Sequence, residues 1–459
     1  MAKQNIVYPV TKETMHAYAA SIFKPIKRKE CVTTVWVPMA GRRMWNKFII
    51  ENINLFSKEL PGYEKYLLVY IEPLDLTEES LVGYMRLMVK SFVEKCKEKG
   101  ACQDKKALQK IEKIIDSETA TYSKLLDILR ELVVKVSSAG YEVIFFLGEF
   151  DELNFASTVF FNNLKSLWSK LYPKLHYVFL MRESITRQEK MSFWGELNEA
   201  ILQNLIYVPL RNGEDNTYLI NYFIKQANIN LSEKERKLIL KLCGGHPFMM
   251  KVCVRVVANN KKSQTTLKEI KQDLMDYYEL RSVSWGIYEV HSVKEQRLLR
   301  DIAKGKKDLN IGSKEMLFLR KMKLVGGTPK SGYKLFSDLF KESILAIEGE
   351  ETEKVKKGVR GLRFDEGTGA VFYNNKHIEE HFSIQEYAVL SILLSTGGNK
   401  ISSRGDIGEA LWGEESYEKY SDWAIDQLMS KLRKKLKSLG IGKSLVTIRG
   451  KGYKIVHPS

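Results

Sequence analysis

"VIFFLGEFDEL", residues 143–153, is the stretch whose reading decides the fold. Five apolar residues run into Gly148, and acids follow at Glu149, Asp151 and Glu152. Such a run is a buried strand that delivers carboxylates to the edge of a sheet. Three further runs have the same make-up: "CVTTVWVPM" (31–39), "YLLVYIEPL" (66–74) and "LHYVFLMRE" (175–183). Each is rich in β-branched or aromatic residues and is bounded by a break. Amphipathic helical patterns lie between them, such as 78–99 and 123–140. Strands apolar throughout, alternating with helices, predict an α/β domain with a mostly parallel sheet covered on both faces.

The totals bound what the rest can be. The 459 residues allow two to four domains. Net charge is +17 with a sequence pI near 9.3, which favours an anionic partner such as nucleic acid. The five cysteines (Cys31, Cys96, Cys102, Cys243 and Cys253) form no C-x-x-C pair and no zinc spacing with histidine. Scattered thiols, an N-terminus without an apolar signal core and the lack of a bilayer-length apolar run predict a cytoplasmic protein with no membrane partner.

The C-terminal hundred residues are the most specific. "FSIQEYAVLSILLSTGGNKISSRGDIGEALWG" (382–413) gives two helices, the first with a capping box from Ser383 to Glu386. "SDWAIDQLMSKLRKKLKSLGIGK" (421–443) is a third, with Ile425, Leu428, Met429, Leu432 and Leu436 on one apolar stripe. Lys431, Arg433, Lys434, Lys435 and Lys437 cover much of the remainder. "SLVTIRGKGYKIV" (444–456) follows as two short strands around a basic, Gly-rich turn. A helix with a buried stripe and a basic outer face fits a major groove, and a basic hairpin beside it can enter the minor groove or lie on phosphates.

These residues resemble the OmpR/PhoB-type winged-helix domain of response regulators. "SxxEYAVLSIL", "EALWG", the D-x-x-I-x-x-L-R-K-K-L pattern ending at Leu436 and "TIRGKGY" (447–453) carry the resemblance. It implies DNA contacts by Trp423, Gln427, Leu428, Ser430, Lys431, Arg433 and Lys434 on the recognition helix, and by Arg449 and Lys451 on the wing. Trp423, Leu428 and Ser430 depart from the polar or basic residues usual there. The acid cluster and phospho-acceptor aspartate of a receiver domain cannot be placed in the N-terminal sequence.

The first strand leads into "AGRRMWNKFII" (40–50). Against G-x-x-x-x-G-K-[ST], Gly41 and Lys47 keep the spacing, while Asn46 replaces the second glycine and Phe48 the Ser/Thr. A phenyl ring cannot ligate Mg²⁺, and Gly148 stands where the first carboxylate after the strand would help hold it. Glu149 is the candidate catalytic acid. Gly41, Arg42, Arg43 and Lys47 are the candidate nucleotide-binding residues. Three readings of this stretch stay open: an ordinary basic strand–helix turn, a remnant that binds ATP or ADP without efficient hydrolysis, and a working ATPase. Loss of both Mg²⁺-holding groups points away from turnover. No metal site is expected, and His246 is read as a buried or capping histidine.

"LCGGHPFMMKVC" (242–253) is similar to the GG-x-P element in the helical lid of STAND and archaeal-type AAA+ ATPases, and the order of parts over about residues 15–347 agrees. The combined resemblance implies a P-loop NTPase-like domain at 1–214, a helical lid at 215–283, a first winged helix at 284–347, a charged linker at 348–358 and the DNA-binding winged helix at 359–459. The expected function is transcriptional regulation on double-stranded DNA under control of a degenerate ATPase-like module. RNA polymerase or a sensor protein is a further partner expectation, with homo-oligomerisation on DNA. The alternative is a STAND-type switch that still hydrolyses ATP.

Overall fold

A computed structural model describes residues 6–183, 193–260, 266–346 and most of 362–456; residues 103, 118, 154, 308 and short stretches within the last segment are not described. The chain divides into two compact units, 1–345 and 346–459.

The first unit begins with α1 (Lys12–Lys27), β1 (Val32–Trp36), α2 (Arg42–Glu51) and β2 (Tyr66–Ile71). Next come α3 (Leu81–Lys99), α4 (Lys105–Ile115), α5 (Tyr122–Ser138), β3 (Glu142–Leu147), α6 (Thr158–Leu171) and β4 (Leu175–Met181). A short α7 (Asn198–Ile201) leads to β5 (Leu205–Val208). The five strands pair in parallel in the order β2-β3-β4-β1-β5. The sheet is therefore crossed over between β1 and β2, which leaves the ends of β1 and β3 separated only by β4. Residues 143–147 are fully buried, as are all of β1 and β4, because helices cover both faces.

The four strands expected from sequence all form. The fifth, β5, is an apolar run of only four residues, three of them half-buried, too short to stand out in the sequence. On this topology the unit is a P-loop NTPase-like fold of the AAA+ kind.

Helices follow: α8 (Gly213–Ala227), α9 (Glu233–Cys243), α10 (Pro247–Asn260), α11 (Leu267–Asp276), α12 (Tyr278–Glu289), α13 (Val293–Ala303) and α14 (Lys314–Lys321). Capping boxes start α9 at Ser232/Glu235, α11 at Thr266/Glu269 and α13 at Ser292/Glu295. An antiparallel hairpin, β6 (Val325–Thr328) and β7 (Gly332–Leu335), comes next.

The second unit opens with a three-stranded antiparallel sheet, β8 (Leu362–Asp365), β9 (Ala370–Tyr373) and β10 (Lys376–His377). Three helices, α15 (Ile384–Ser395), α16 (Arg404–Trp412) and α17 (Asp422–Ser438), precede the hairpin β11 (Leu445–Ile448) and β12 (Gly452–Ile455). The stripe Ile425, Leu428, Met429, Leu432 and Leu436 packs with Val389, Leu393, Ile407 and Ile455 into a separate core. Among the described residues, no helix is long and apolar enough to cross a membrane.

Candidate functional site

Two sites follow from this frame, one in each unit. In the second unit, burying one stripe of α17 turns the opposite face outward. Gln427, Ser430, Lys431, Lys434 and Lys437 are exposed at helical spacing along a 17-residue helix about 25 Å long. Leu428 belongs to the core instead, at 9% exposure, so it presents nothing to a partner. Lys435 also departs from the free-cation reading: its Nζ lies 2.5 Å from Oε2 of Glu386, which is buried. Glu386 in turn accepts the Ser383 N–H at 2.7 Å, completing the expected capping box with the Glu386 N–H on Ser383 Oγ. Burial alone would raise the Glu386 carboxyl. Lys435 and Ser383 outweigh it and hold it below the usual range.

The hairpin is fixed against α17 by a polar cluster. Tyr453 donates its hydroxyl to Asp426 Oδ1 at 2.5 Å, and Arg404 reaches the same oxygen at 2.8 Å. Those bonds, Tyr453 first, lower the Asp426 carboxyl. Arg433 donates to Thr447 Oγ1 and lies 5.9 Å from the Tyr453 ring centroid. Its guanidinium thus ties helix to wing, while Lys431 and Lys434 remain outward. Gly452 has no room for a Cβ, which would lie 2.1 Å from the Ser402 carbonyl oxygen. Ser402 and Tyr453 exchange both backbone hydrogen bonds at 2.9 Å, adding a third segment to the wing. The Lys451 N–H closes the turn on Ile448 O at 2.9 Å, and its side chain is exposed. Arg449 and the Trp423 side chain lie outside the described residues.

In the first unit, the loop from β1 reaches α2 through two left-handed residues, Met39 (φ 54°) and Gly41 (φ 99°). The helix begins at Arg42, so residues 42–47, the stretch between Gly41 and Lys47 of the motif spacing, are helical. Arg42 heads the helix, and Lys47 sits in its second turn with Nζ 5.5 Å from the Tyr70 ring centroid. Phe48 packs on Tyr8 and Phe56 in the core. Asn46 is buried, donating to Arg42 O at 2.7 Å and accepting from Tyr18 at 3.0 Å.

The carboxylate edge meets this helix head. Arg42 Nη2 lies 2.7 Å from Glu149 Oε1, and Arg43 Nε 2.9 Å from Glu72 Oε2. Gly148 is where it is because β2 approaches: a Cβ would lie 2.9 Å from Ile71 O, the same oxygen that accepts the Gly148 N–H. Asp151, buried, accepts the N–H groups of Arg182 and Glu183 at 2.7 and 2.8 Å. Beside these lies a cleft of about 520 Å³ whose lining includes Glu79, Glu149, Asp151, Glu152, Glu183 and Glu289.

Two further residues act here: Arg211, which the sequence reading did not single out, and His246, whose reading as a buried or capping histidine agrees with its place. Arg211, buried, donates to Ala40 O at 2.8 Å and stacks 4.2 Å over the Trp45 ring. Burial pushes its guanidinium down to about 10. His246 donates from Nε2 to Pro38 O at 2.8 Å while its Nδ1 accepts the Met249 N–H at 3.3 Å, which fixes the neutral tautomer. Burial pushes His246 down to about 4, aided by Arg211 and opposed by the Pro38 bond. The loop's carbonyls are thus held from behind, Pro38 O by His246 of the GGHP joint and Ala40 O by Arg211. Nothing in the local sequence marks Arg211, because the loop oxygen it holds, Ala40 O, lies 171 residues away.

Residues 378–455 match the family described as transcriptional regulatory protein, C terminal. The response regulator ArlR of Staphylococcus haemolyticus (strain JCSC1435) is 30% identical over 112 residues, covering 24% of this chain and 49% of that protein. The chain therefore spans about half the length of the curated relative it matches. Among solved structures, the ORC2 protein of Aeropyrum pernix (ADPNP–ADP complexes) is 13% identical with a TM-score of 0.45, over 76% of this chain and 97% of that one. The DNA-binding domain of response regulator AdeR, in complex with an intercistronic region, is 25% identical with a TM-score of 0.19, over 22% of this chain and 99% of that one. Residues 378–455 of this chain form an OmpR/PhoB-type domain.

Proposed function

We propose that the chain is a DNA-binding transcriptional regulator whose C-terminal winged helix, 359–459, reads duplex DNA under the control of an ATPase-like module. The observation that carries this reading is the outward face of α17, where Gln427, Ser430, Lys431 and Lys434 line up beside a braced basic hairpin. Gln427 is suited to a base edge and the lysines to phosphates. Trp423, Arg433, Arg449 and Lys451 complete the interface on this reading. Residues 1–214 form the P-loop-like domain, 215–283 the lid, 284–347 a first winged helix and 348–358 the linker.

The N-terminal site is read as a remnant that senses or oligomerises and does not turn over nucleotide. A bound nucleotide would bring phosphates to Gly41 and Arg42, and Mg²⁺ would need hydroxyl and carboxylate ligands. The residues present do not fit that pair. Arg42 is already neutralised by Glu149, Lys47 lies in the second turn, half-buried Phe48 packs against the core and the adjacent cleft is lined with acids. A polyphosphate entering there meets like charge.

The test is full-chain affinity for duplex DNA as a function of salt, beside an ATP hydrolysis assay. Binding should fall steeply with salt, and Lys431→Ala should reduce the slope by about 0.9, one phosphate contact. ATP turnover should stay at background. Salt-independent affinity, or none at low salt, would remove the DNA reading. Mg²⁺-dependent turnover would restore the working ATPase.

A further inference from the structure

Two hairpins in this chain are built alike, one in each compact unit. β6 and β7 pair as Val325↔Leu335, Gly326↔Lys334, Gly327↔Tyr333 and Thr328↔Gly332. β11 and β12 pair as Leu445↔Ile455, Val446↔Lys454, Thr447↔Tyr453 and Ile448↔Gly452. Both use four-residue strands around a three-residue connection, and the second strand reads GYKL in one and GYKI in the other. In both, an arginine of the preceding helix lies over the strand tyrosine: Arg320 is 5.9 Å from the Tyr333 ring centroid, as Arg433 is from that of Tyr453.

The first of these helix–hairpin pairs is anchored on one side only. Leu210 N–H donates to Met322 O at 3.2 Å, Ser337 Oγ to Leu242 O at 2.5 Å, and Phe318 packs on Tyr207 with ring centroids 6.0 Å apart. The other side carries Arg320, Lys323, Lys330 and Lys334, all exposed, while Lys321 turns to the anchored side with its Nζ 4.2 Å over the Tyr207 ring. Among the described residues none of these four pairs with a carboxylate. Residues 304–334 hold nine lysines and arginines against two acids. Like charges gathered this way repel one another, and a polyanion that releases its counterions relieves the repulsion.

We propose that this face, α14 with the β6–β7 hairpin, is a second binding site, for the phosphate backbone of duplex DNA. The proposal rests on the reading that the chain binds DNA and adds a contact outside the C-terminal domain. The contact is independent of sequence. α14 has eight residues, about 12 Å, half the length of α17, which leaves too little helix to lay several side chains along base edges. Its outward cations are lysines and one arginine committed to a tyrosine face, a set that suits phosphates more than bases. A protein partner would call for an apolar centre within the polar rim, and around this face only Ile311 and Leu317 are large, apolar and exposed among the described residues.

The experiment measures full-chain affinity for a duplex several helical turns long across a salt series. Wild type is compared with the triple variant Lys323→Gln/Lys330→Gln/Lys334→Gln and, separately, with Lys431→Ala/Lys434→Ala. Thermal unfolding checks that each variant is folded. The triple variant should lose up to about 0.9 of salt slope per lysine and leave the preferred DNA sequence unchanged. An unchanged slope in the triple variant, with a reduced slope in the Lys431/Lys434 pair, overturns this site and leaves the C-terminal reading standing. If neither variant moves the slope, the C-terminal reading falls as well. If the triple variant loses binding to an acidic polypeptide but not to DNA, the face belongs to a protein and the proposal is wrong.

Discussion

Acidification should loosen the N-terminal unit through His246, and the size of the effect follows from its surroundings. His246 is fully buried and neutral, donating to Pro38 O and accepting from Met249 N–H. A proton on Nδ1 would break the second bond and place a charge near Arg211. Its folded-state value of about 4 lies below the ordinary 6.5. As pH falls, the unfolded chain therefore takes up the proton first. The stability that His246 contributes is whole above about pH 6.5 and is lost as pH falls toward about 4. Linkage makes the total loss about 3 kcal/mol, of which about 2 kcal/mol is gone by about pH 5. Glu142, held down to about 2 against burial by His176 and Lys29, changes little at that pH. The assay is urea unfolding followed by tryptophan fluorescence, since five of the seven tryptophans lie in residues 1–345. His246→Gln should be less stable than wild type near pH 7.5 and should lack about 2 kcal/mol of the wild-type decline to about pH 5. A parallel decline in both proteins would refute the reasoning, since some other group would then be taking up the proton.

Other consequences are local. Glu386→Ala removes a capping box and leaves Lys435 without its carboxylate; the second unit should lose about 1–2 kcal/mol in a thermal melt, and a loss near zero would mean that α15 is not held by this pair. Gly244→Ala places a Cβ 1.8 Å from the Phe336 carbonyl oxygen at φ 55° and should cost on the order of 2–4 kcal/mol, read as a lower urea midpoint of the first unit. Lys47→Ala should leave any ATP or ADP affinity, followed by calorimetry, unchanged within about twofold, because its Nζ lies over the Tyr70 ring from the second turn of α2. A tenfold loss would place Lys47 on a phosphate after all.

The sequence and the structure agree where a pattern repeats and part where a single contact decides. The apolar run 143–147 announces its own burial, and the stripe from Ile425 to Leu436 announces which face of α17 is left for a partner. Ser383 and Glu386 could be paired by spacing alone. Lys435 could not, because its partner lies 49 residues away and a lysine beside four other cations looks solvated. The N-terminal loop could not be decided by count. Gly41 and Lys47 keep a phosphate-loop spacing, yet the helix starts at Arg42, immediately after the left-handed glycine. Spacing cannot say where a helix begins when Asn46 and Trp45 have buried partners that favour helix over loop. Gly148 is legible only in three dimensions, since the backbone of Ile71 fills the place of its side chain.

The central claim, that α17 reads base edges while its lysines hold the backbone, is tested most directly by randomised-site selection with the full chain, Gln427→Ala and Lys434→Ala. Wild type should return one preferred sequence. Gln427→Ala should relax it at one or two adjacent positions, with a discrimination loss of about 1–3 kcal/mol there. Lys434→Ala should return the wild-type sequence with weaker binding to all sites and a salt slope smaller by about one. If all three proteins return the same sequence with equal affinities, or wild type returns none, α17 does not read DNA and the account is contradicted.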